Sequence, residues 1–417
     1  MSIEEWHYQD GQLFCEDAEL TRIAYSHGTP TYVYSKSRVI RNFRAYAGAL
    51  KGLPHRILYS VKANSSLGIL DLLAREGAGF DIVSGGELYR VLAAGGDPSK
   101  IVFAGVGKTV AEIRFALEKG IHSFNCESEA EVGLISRAAL ALNRTASIAI
   151  RVNPDVDAAT HPYISTGLRM HKFGVDIAVA AELYHRAAQM PGILAEGVSC
   201  HIGSQMLKIE PLLEAADRVL ALVAQLRSQG YPIRHLDVGG GLGVAYEPDE
   251  RGPAIQSFIE RLKPRLAGLD LTLMLEPGRS VVADAGILLT RVLLLKQNGA
   301  KRFVVVDAAM NDLIRPVLYD AYHEITPVQE PSGKSSLVDV VGPICESGDF
   351  FARDRELSEV KAGDLLAIRT AGAYGFSLSS NYNSRPRPCE LLVDGKDVYL
   401  LRHRETYEDL VRGELLP

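Results

Sequence analysis

RILYSVKANSSLGILDLLAREGAGFDIV, residues 56–83, contains one complete folding unit. RILYSV (56–61) is apolar and rich in β-formers, so it reads as a short strand, and GFDIV (79–83) reads as a second. The segment 66–75 between them has helical spacing and opens on Ser66, a plausible N-cap. Two strands joined through a helix run parallel. Six further runs keep the same rhythm: IVFA (101–104), HSFN (122–125), SIAIRV (147–152), GVSCH (197–201), RHLDV (234–238) and TLMLE (272–276). Helical patterns at 109–119 and 209–229 fill gaps between them. Eight such repeats predict an α/β fold, a closed (β/α)8 TIM-like barrel.

Beyond residue 280 the rhythm becomes strand and turn. VVADAGILLTRVLLLK (281–296), KRFVVVD (301–307), SSLVDVVG (335–342), AGDLLAIR (362–369) and CELLVDGKDVYLLRH (389–403) predict a second, mostly β domain, the last with an Asp-Gly hairpin turn. The expected division is a barrel over 31–280 and a β domain over 281–417, with residues 1–30 joining the latter because they do not fit the barrel count. An apparent TYVY strand starting near Thr31 goes with those first residues in not fitting the barrel count, although the division is drawn at 31.

Composition narrows the function. The 417 residues are 47% hydrophobic and 23% charged, ordinary globular usage, and no apolar run is long enough to span a bilayer. A net charge of -6 argues against a nucleic-acid partner. The acidic amino terminus lacks the basic start and apolar stretch of a secretory signal, so a cytoplasmic location is expected. Five cysteines without a CxxC pair predict neither a disulfide framework nor a structural zinc site, and no histidine sits in a zinc-protease spacing. The expected ligand is a small molecule and no metal.

Barrel enzymes gather their chemistry at the carboxyl ends of the strands. There the sequence places Lys62 after the first strand, Asp81 in the second, Arg151 in the fifth and His201 at the end of the sixth. Gly239, Gly240 and Gly241 follow the seventh strand and Glu276 ends the eighth. Each has a plain structural reading: a solvated flank lysine, a core histidine, a tight turn, a turn-capping carboxylate. Together they suit a phosphorylated aldehyde cofactor. A partly buried lysine gives the free amine that a Schiff base needs, three glycines let backbone N–H groups approach a phosphate, and a glutamate facing a pyridine ring keeps its nitrogen protonated.

The motifs YSVKAN, FDIVSGGE, RVNPDVDAATHPYISTG, CHIGSQ, DVGGGLG, EPGR, NDLIRPVLY, GPICESGDF and AGAYGFSLSSNYNSRPRP run in order along nearly the whole chain. Together they resemble the diaminopimelate decarboxylases, of the alanine-racemase-like pyridoxal-phosphate (PLP) fold type III group. The resemblance implies decarboxylation of meso-2,6-diaminopimelate to L-lysine, the last step of lysine biosynthesis. By that resemblance Lys62 would hold PLP, His201 would stack on its ring and Glu276 would face its nitrogen. Ser204, Gly239, Gly240, Gly241 and Tyr374 would hold the phosphate beside Gly278 and Arg279, with Asp81 and Arg151 near the cofactor.

Arg279, Arg315, Tyr319, Glu346 and Tyr374 would bind the substrate, whose far end carries both a carboxylate and an ammonium. Cys345 would reach the partner's site in a homodimer with shared active sites, and either Cys345 or the lysine would return a proton to Cα. Three departures from the family pattern, Ser66, Arg169 and His171, fall outside these residues.

Three rivals differ at named residues. A racemase of this fold sets an arginine at the ring nitrogen where this chain has Glu276. Decarboxylases of ornithine, arginine or carboxynorspermidine would leave Arg315, Tyr319 and Glu346 poorly matched. A silent PLP-binding protein would not need both Lys62 and Cys345.

Overall fold

The computed structural model describes residues 5–157, 172–331 and 333–417. Arg169 and His171, two of the departures above, lie outside the described residues, as does part of the RVNPDVDAATHPYISTG motif. The chain divides into two compact units, one of residues 43–244 and 251–280, the other of 1–42, 245–250 and 281–417.

In the first unit eight parallel strands close on themselves. They are β1 (His55–Ser60), β2 (Gly79–Ile82), β3 (Ile101–Phe103), β4 (Ser123–Cys126), β5 (Ala146–Asn153), β6 (Ile193–Ser199), β7 (His235–Asp237) and β8 (Thr272–Leu275). Each pairs with the next in sequence, and β8 pairs with β1 to complete the barrel. All eight expected runs are strands, and only β6 starts well ahead of its run.

Parallel strands covered on both faces need apolar side chains throughout, and Leu58, Val102 and Met274 form a fully buried cluster from β1, β3 and β8. Burying each such side chain stabilises the fold by about 1.5–3 kcal/mol. Helix caps fix where chain leaves strand for helix. The Ser84 and Ser128 hydroxyls accept N–H bonds from Glu87 and Glu131, and Thr109 forms a reciprocal capping box with Glu112. Ser66 behaves otherwise: its hydroxyl caps nothing, while its own N–H donates to Asn64 Oδ1 at 3.0 Å.

The second unit is built on a nine-stranded sheet. Thr31–Ser35 lies inside this sheet, antiparallel to Gly286–Asn298 and parallel to Cys389–Asp394. The expected barrel start at residue 31 is therefore corrected: this strand belongs with the β unit, and the division falls at 42/43 within the helix that follows. All five residues of the strand are buried, which accounts for its unbroken TYVYS character. Residues 5–30 share a core with the same sheet, Leu13, Leu20 and Ile23 packing with Val33, Ile287, Leu289 and Leu391. No described helix is long and apolar enough to cross a membrane.

Candidate active site

The carboxyl ends of the barrel strands carry an unusual density of buried charge. Lys62, in the short turn after β1, donates to Asp81 Oδ2 at 2.7 Å, and Ser60 Oγ donates to the same oxygen at 2.8 Å. Asp81 is fully buried, whereas the Lys62 side chain stays 36% exposed. This contact favours the ammonium form, so the free amine expected from burial alone is not what the ion pair stabilises. The other Asp81 oxygen, Oδ1, is buried and has no hydrogen-bond partner among the described residues.

Across the barrel mouth Glu276 and Asp237 are buried together, joined through Asn125, whose Nδ2 donates to Asp237 Oδ2 at 3.0 Å and to Glu276 Oε1 at 3.3 Å. Asp237 Oδ1 accepts the Gly239 N–H at 2.9 Å. Burial, the Asp237 charge and the Asp81 charge push the Glu276 carboxyl well above the usual carboxylate range. Burial also raises Asp237, although its bonds from Glu276, Asn125 and Gly239 oppose the rise. Two adjoining buried carboxyls hold one proton between them, and these bonds favour the anion on Asp237 and the proton on Glu276.

His201, at the end of β6, accepts the Gly240 N–H on Nδ1 at 3.2 Å. Burial, then the Arg151 and Lys62 charges, hold its imidazole well below the usual range, so the ring is neutral. Arg151 is itself buried, donating to Glu127 Oε1 at 2.9 Å and to the His201 carbonyl at 3.4 Å. The glycine turn lies flat between these strand ends. A Cβ on Gly239 would stand 2.6 Å from the Cys200 carbonyl oxygen, and one on Gly240 would stand 2.1 Å from that of Glu276. Gly278 is pressed against Ser60 and Ala63. Arg279 Nη2 donates to Ser204 Oγ at 3.1 Å, leaving a guanidinium and a hydroxyl on one spot.

The remaining expected residues belong to the second unit. Arg315 opens the short helix Arg315–Tyr319 and is buried, Tyr319 closing the same helix. Cys345 is exposed, while the other four cysteines are buried. Its N–H donates to Asn383 Oδ1 at 2.9 Å, and the neighbouring Glu346 accepts from the Tyr382 hydroxyl at 3.5 Å. Tyr374 takes a left-handed backbone conformation, φ 56°.

Sequence reasoning missed Asn125, Glu127 and Asp237, which sit within or just after barrel strands. The available signal was a polar side chain interrupting a buried run, HSFN or RHLDV, at its carboxyl end. Among the described residues no cluster could hold a metal ion.

The profile described as "Pyridoxal-dependent decarboxylase, pyridoxal binding domain" matches residues 36–283. A diaminopimelate decarboxylase of Pseudomonas aeruginosa is 55% identical over 416 residues, covering 100% of both chains. The chain belongs to the diaminopimelate decarboxylase family. Its fold agrees with solved members: a Helicobacter pylori diaminopimelate decarboxylase complexed with L-lysine superimposes with TM-score 0.91 at 45% identity, over 94% of this chain and 98% of that one. One from M. jannaschii in co-complex with L-lysine gives 0.94 at 40% identity, over 99% and 98%. Pyridoxal phosphate is the cofactor of this family member. The barrel residues fit it: an amine beside a buried carboxylate, a neutral flat imidazole, a turn that admits no side chain, and a guanidinium with a hydroxyl suited to a phosphate.

Proposed function

We propose the following division of labour for the reaction that this chain catalyses, removal of one carboxylate of meso-diaminopimelate as CO2 to leave L-lysine. The observation that carries the substrate is the 55% identity, end to end, with a diaminopimelate decarboxylase. Glu276 supports decarboxylation over racemisation, because the group suited to the ring nitrogen is a carboxyl and not an arginine.

Lys62 Nζ would hold the cofactor aldehyde, and Asp81 Oδ2, which accepts its hydrogen bond, would position that amine. His201 offers its neutral face to the ring, and Ser204, Arg279, Tyr374 and the glycine turn at 239–241 hold the phosphate beside Gly278. Arg151, tied to Glu127 and the His201 carbonyl, keeps that imidazole in place. Bound there, pyridoxal phosphate supplies a protonated ring that takes the electron pair of the breaking Cα–carboxylate bond. Glu276 holds the proton that the ring nitrogen shares, with Asp237 and Asn125 fixing its carboxyl. The proton added at Cα comes from Cys345 Sγ or Lys62 Nζ.

Arg279, Arg315, Tyr319, Tyr374 and Glu346 bind the far end of the substrate, Arg315 as a fork for the carboxylate and Glu346 as counter-charge to the ammonium. The unit containing the barrel thus supplies most of the residues assigned to the cofactor, and the β unit supplies Tyr374 and the substrate residues Arg315, Tyr319 and Glu346. The working form is a cytoplasmic homodimer in which Cys345 and Glu346 serve the other chain. Support for self-association comes from Leu293, Leu294 and Leu295, 46–52% exposed on one strand, and Leu337, 63% exposed.

The purified enzyme with PLP is expected to release CO2 and L-lysine from meso-diaminopimelate and no CO2 from ornithine. Turnover of ornithine without turnover of diaminopimelate would reject the substrate assignment.

A further inference from the structure

Arg315 does not stand alone in the β unit. Its Nη1 lies 2.8 Å from His323 Nε2, and His323 Nδ1 lies 2.8 Å from the Arg369 carbonyl oxygen. A guanidinium only donates, so Nε2 accepts and the ring proton sits on Nδ1, where it donates to that carbonyl. His323 is therefore a neutral imidazole with one tautomer.

Its backbone is held as firmly as its ring. The Arg369 N–H donates to the Glu324 carbonyl, Ile325–Pro327 pairs with Leu365–Ile368 just beyond, and Arg355 Nη1 donates to the His323 carbonyl at 2.8 Å. Tyr246 closes the other side, its ring centroid 4.4 Å from Arg315 Cζ and 5.3 Å from the imidazole, edge to face. Arg315, His323 and Tyr246 are 5%, 0% and 8% exposed.

We propose that His323 is a positioning residue for substrate recognition: by accepting from Nη1 it fixes the rotation of the Arg315 guanidinium and so presents the fork to the distal carboxylate of diaminopimelate. A carboxylate in the same place would also orient the arginine, but it would compete with the substrate for its charge. A neutral acceptor orients without cancelling. The inference rests on the reading of Arg315 as the carboxylate fork given above.

Two amides separate this role from a merely structural one. Glutamine can place an acceptor near the Nε2 position, so His323→Gln keeps the bond to Arg315 and loses the one to the Arg369 carbonyl. Asparagine can place a donor near Nδ1, so His323→Asn does the reverse. With the holoenzyme, and with thermal melts confirming folded proteins, His323→Asn is expected to raise KM for meso-diaminopimelate about tenfold, the loss of one charge-assisted hydrogen bond. Its kcat should stay within about twofold, and the Kd for L-lysine should rise in step.

His323→Gln is expected to keep KM near that of the unaltered enzyme. Equal KM values in the two variants, or a rise in His323→Gln alone, would overturn the proposal. Arg315→Lys, measured alongside, separates the two layers. An unmoved KM there removes the fork and the proposal with it, whereas a raised KM there with an unmoved His323→Asn removes the role of His323 alone.

Discussion

Glu276 and Glu346 are both carboxylates, yet their surroundings assign them different work. Glu276 is buried against Asp237, and in the proposed mechanism its proton takes part, whereas Glu346 is exposed beside Tyr382, where its charge would be available to a ligand. Glu276→Gln is expected to lower kcat by about 10²- to 10³-fold with KM little changed, the scale of losing one preorganised electrostatic contact. Glu346→Gln is expected to raise KM about tenfold and spare kcat. Steady-state kinetics with the two patterns exchanged would reverse the assignments. Lys62, His201 and Glu276 were legible because each is a polar residue directly at the end of an apolar run. Asp237 was hidden because a glycine turn next to it drew the reading, and Asn125 because a neutral amide inside a strand signals no charge. Only the fold shows that the two meet, 112 residues apart in sequence.

At the amino ends of the strands, away from the chemistry, β4 and β7 bring His122 and His235 together with ring centroids 5.5 Å apart. Neither Nε2 has a hydrogen-bond partner among the described residues. Burial, with the Arg56 charge adding to it, lowers His122 to about 4, and burial with the neighbouring His122 and Arg56 lowers His235 to about 3. Both folded values lie below the unfolded value of about 6.5. Above that pH neither state is charged and the pair costs nothing. As pH falls below it, the unfolded chain takes up protons that the folded barrel refuses, and stability declines by up to about 1.4 kcal/mol per pH unit for each histidine.

Urea midpoints measured from about pH 7.5 down to about pH 5, through the upper part of the window between the unfolded value of about 6.5 and the folded values, should fall, and the fall should be shallower in His122→Gln. Parallel slopes in the two proteins would show that the pair does not govern acid sensitivity. The strands themselves were legible element by element, since period and turn residues are local properties. That the TYVY strand does not fit the barrel count was legible too, but its partners in the second sheet were not, because they lie more than 250 residues away.

At the scale of the whole molecule, the chain order of the two units was readable from the change of rhythm near residue 280, whereas the return of 245–250 to the β unit leaves no periodic trace. The same scale holds the proposed sharing of sites. If Cys345 serves the partner chain and donates the Cα proton there, Lys62→Ala and Cys345→Ala homodimers are each expected to be nearly inactive. Mixing them under conditions that exchange subunits should restore activity, because one mixed site then carries both native residues. No recovery after verified exchange would place both residues in the service of one chain.

The proposed chemistry turns on the amine of Lys62. Reduction of the PLP-loaded enzyme with borohydride, followed by peptide mass spectrometry, measures it most directly. The pyridoxyl phosphate mass is expected on the peptide containing YSVKAN, at Lys62, and absent from Lys62→Ala. Its appearance on another lysine, or no trapped adduct at all, would contradict the mechanism at its root.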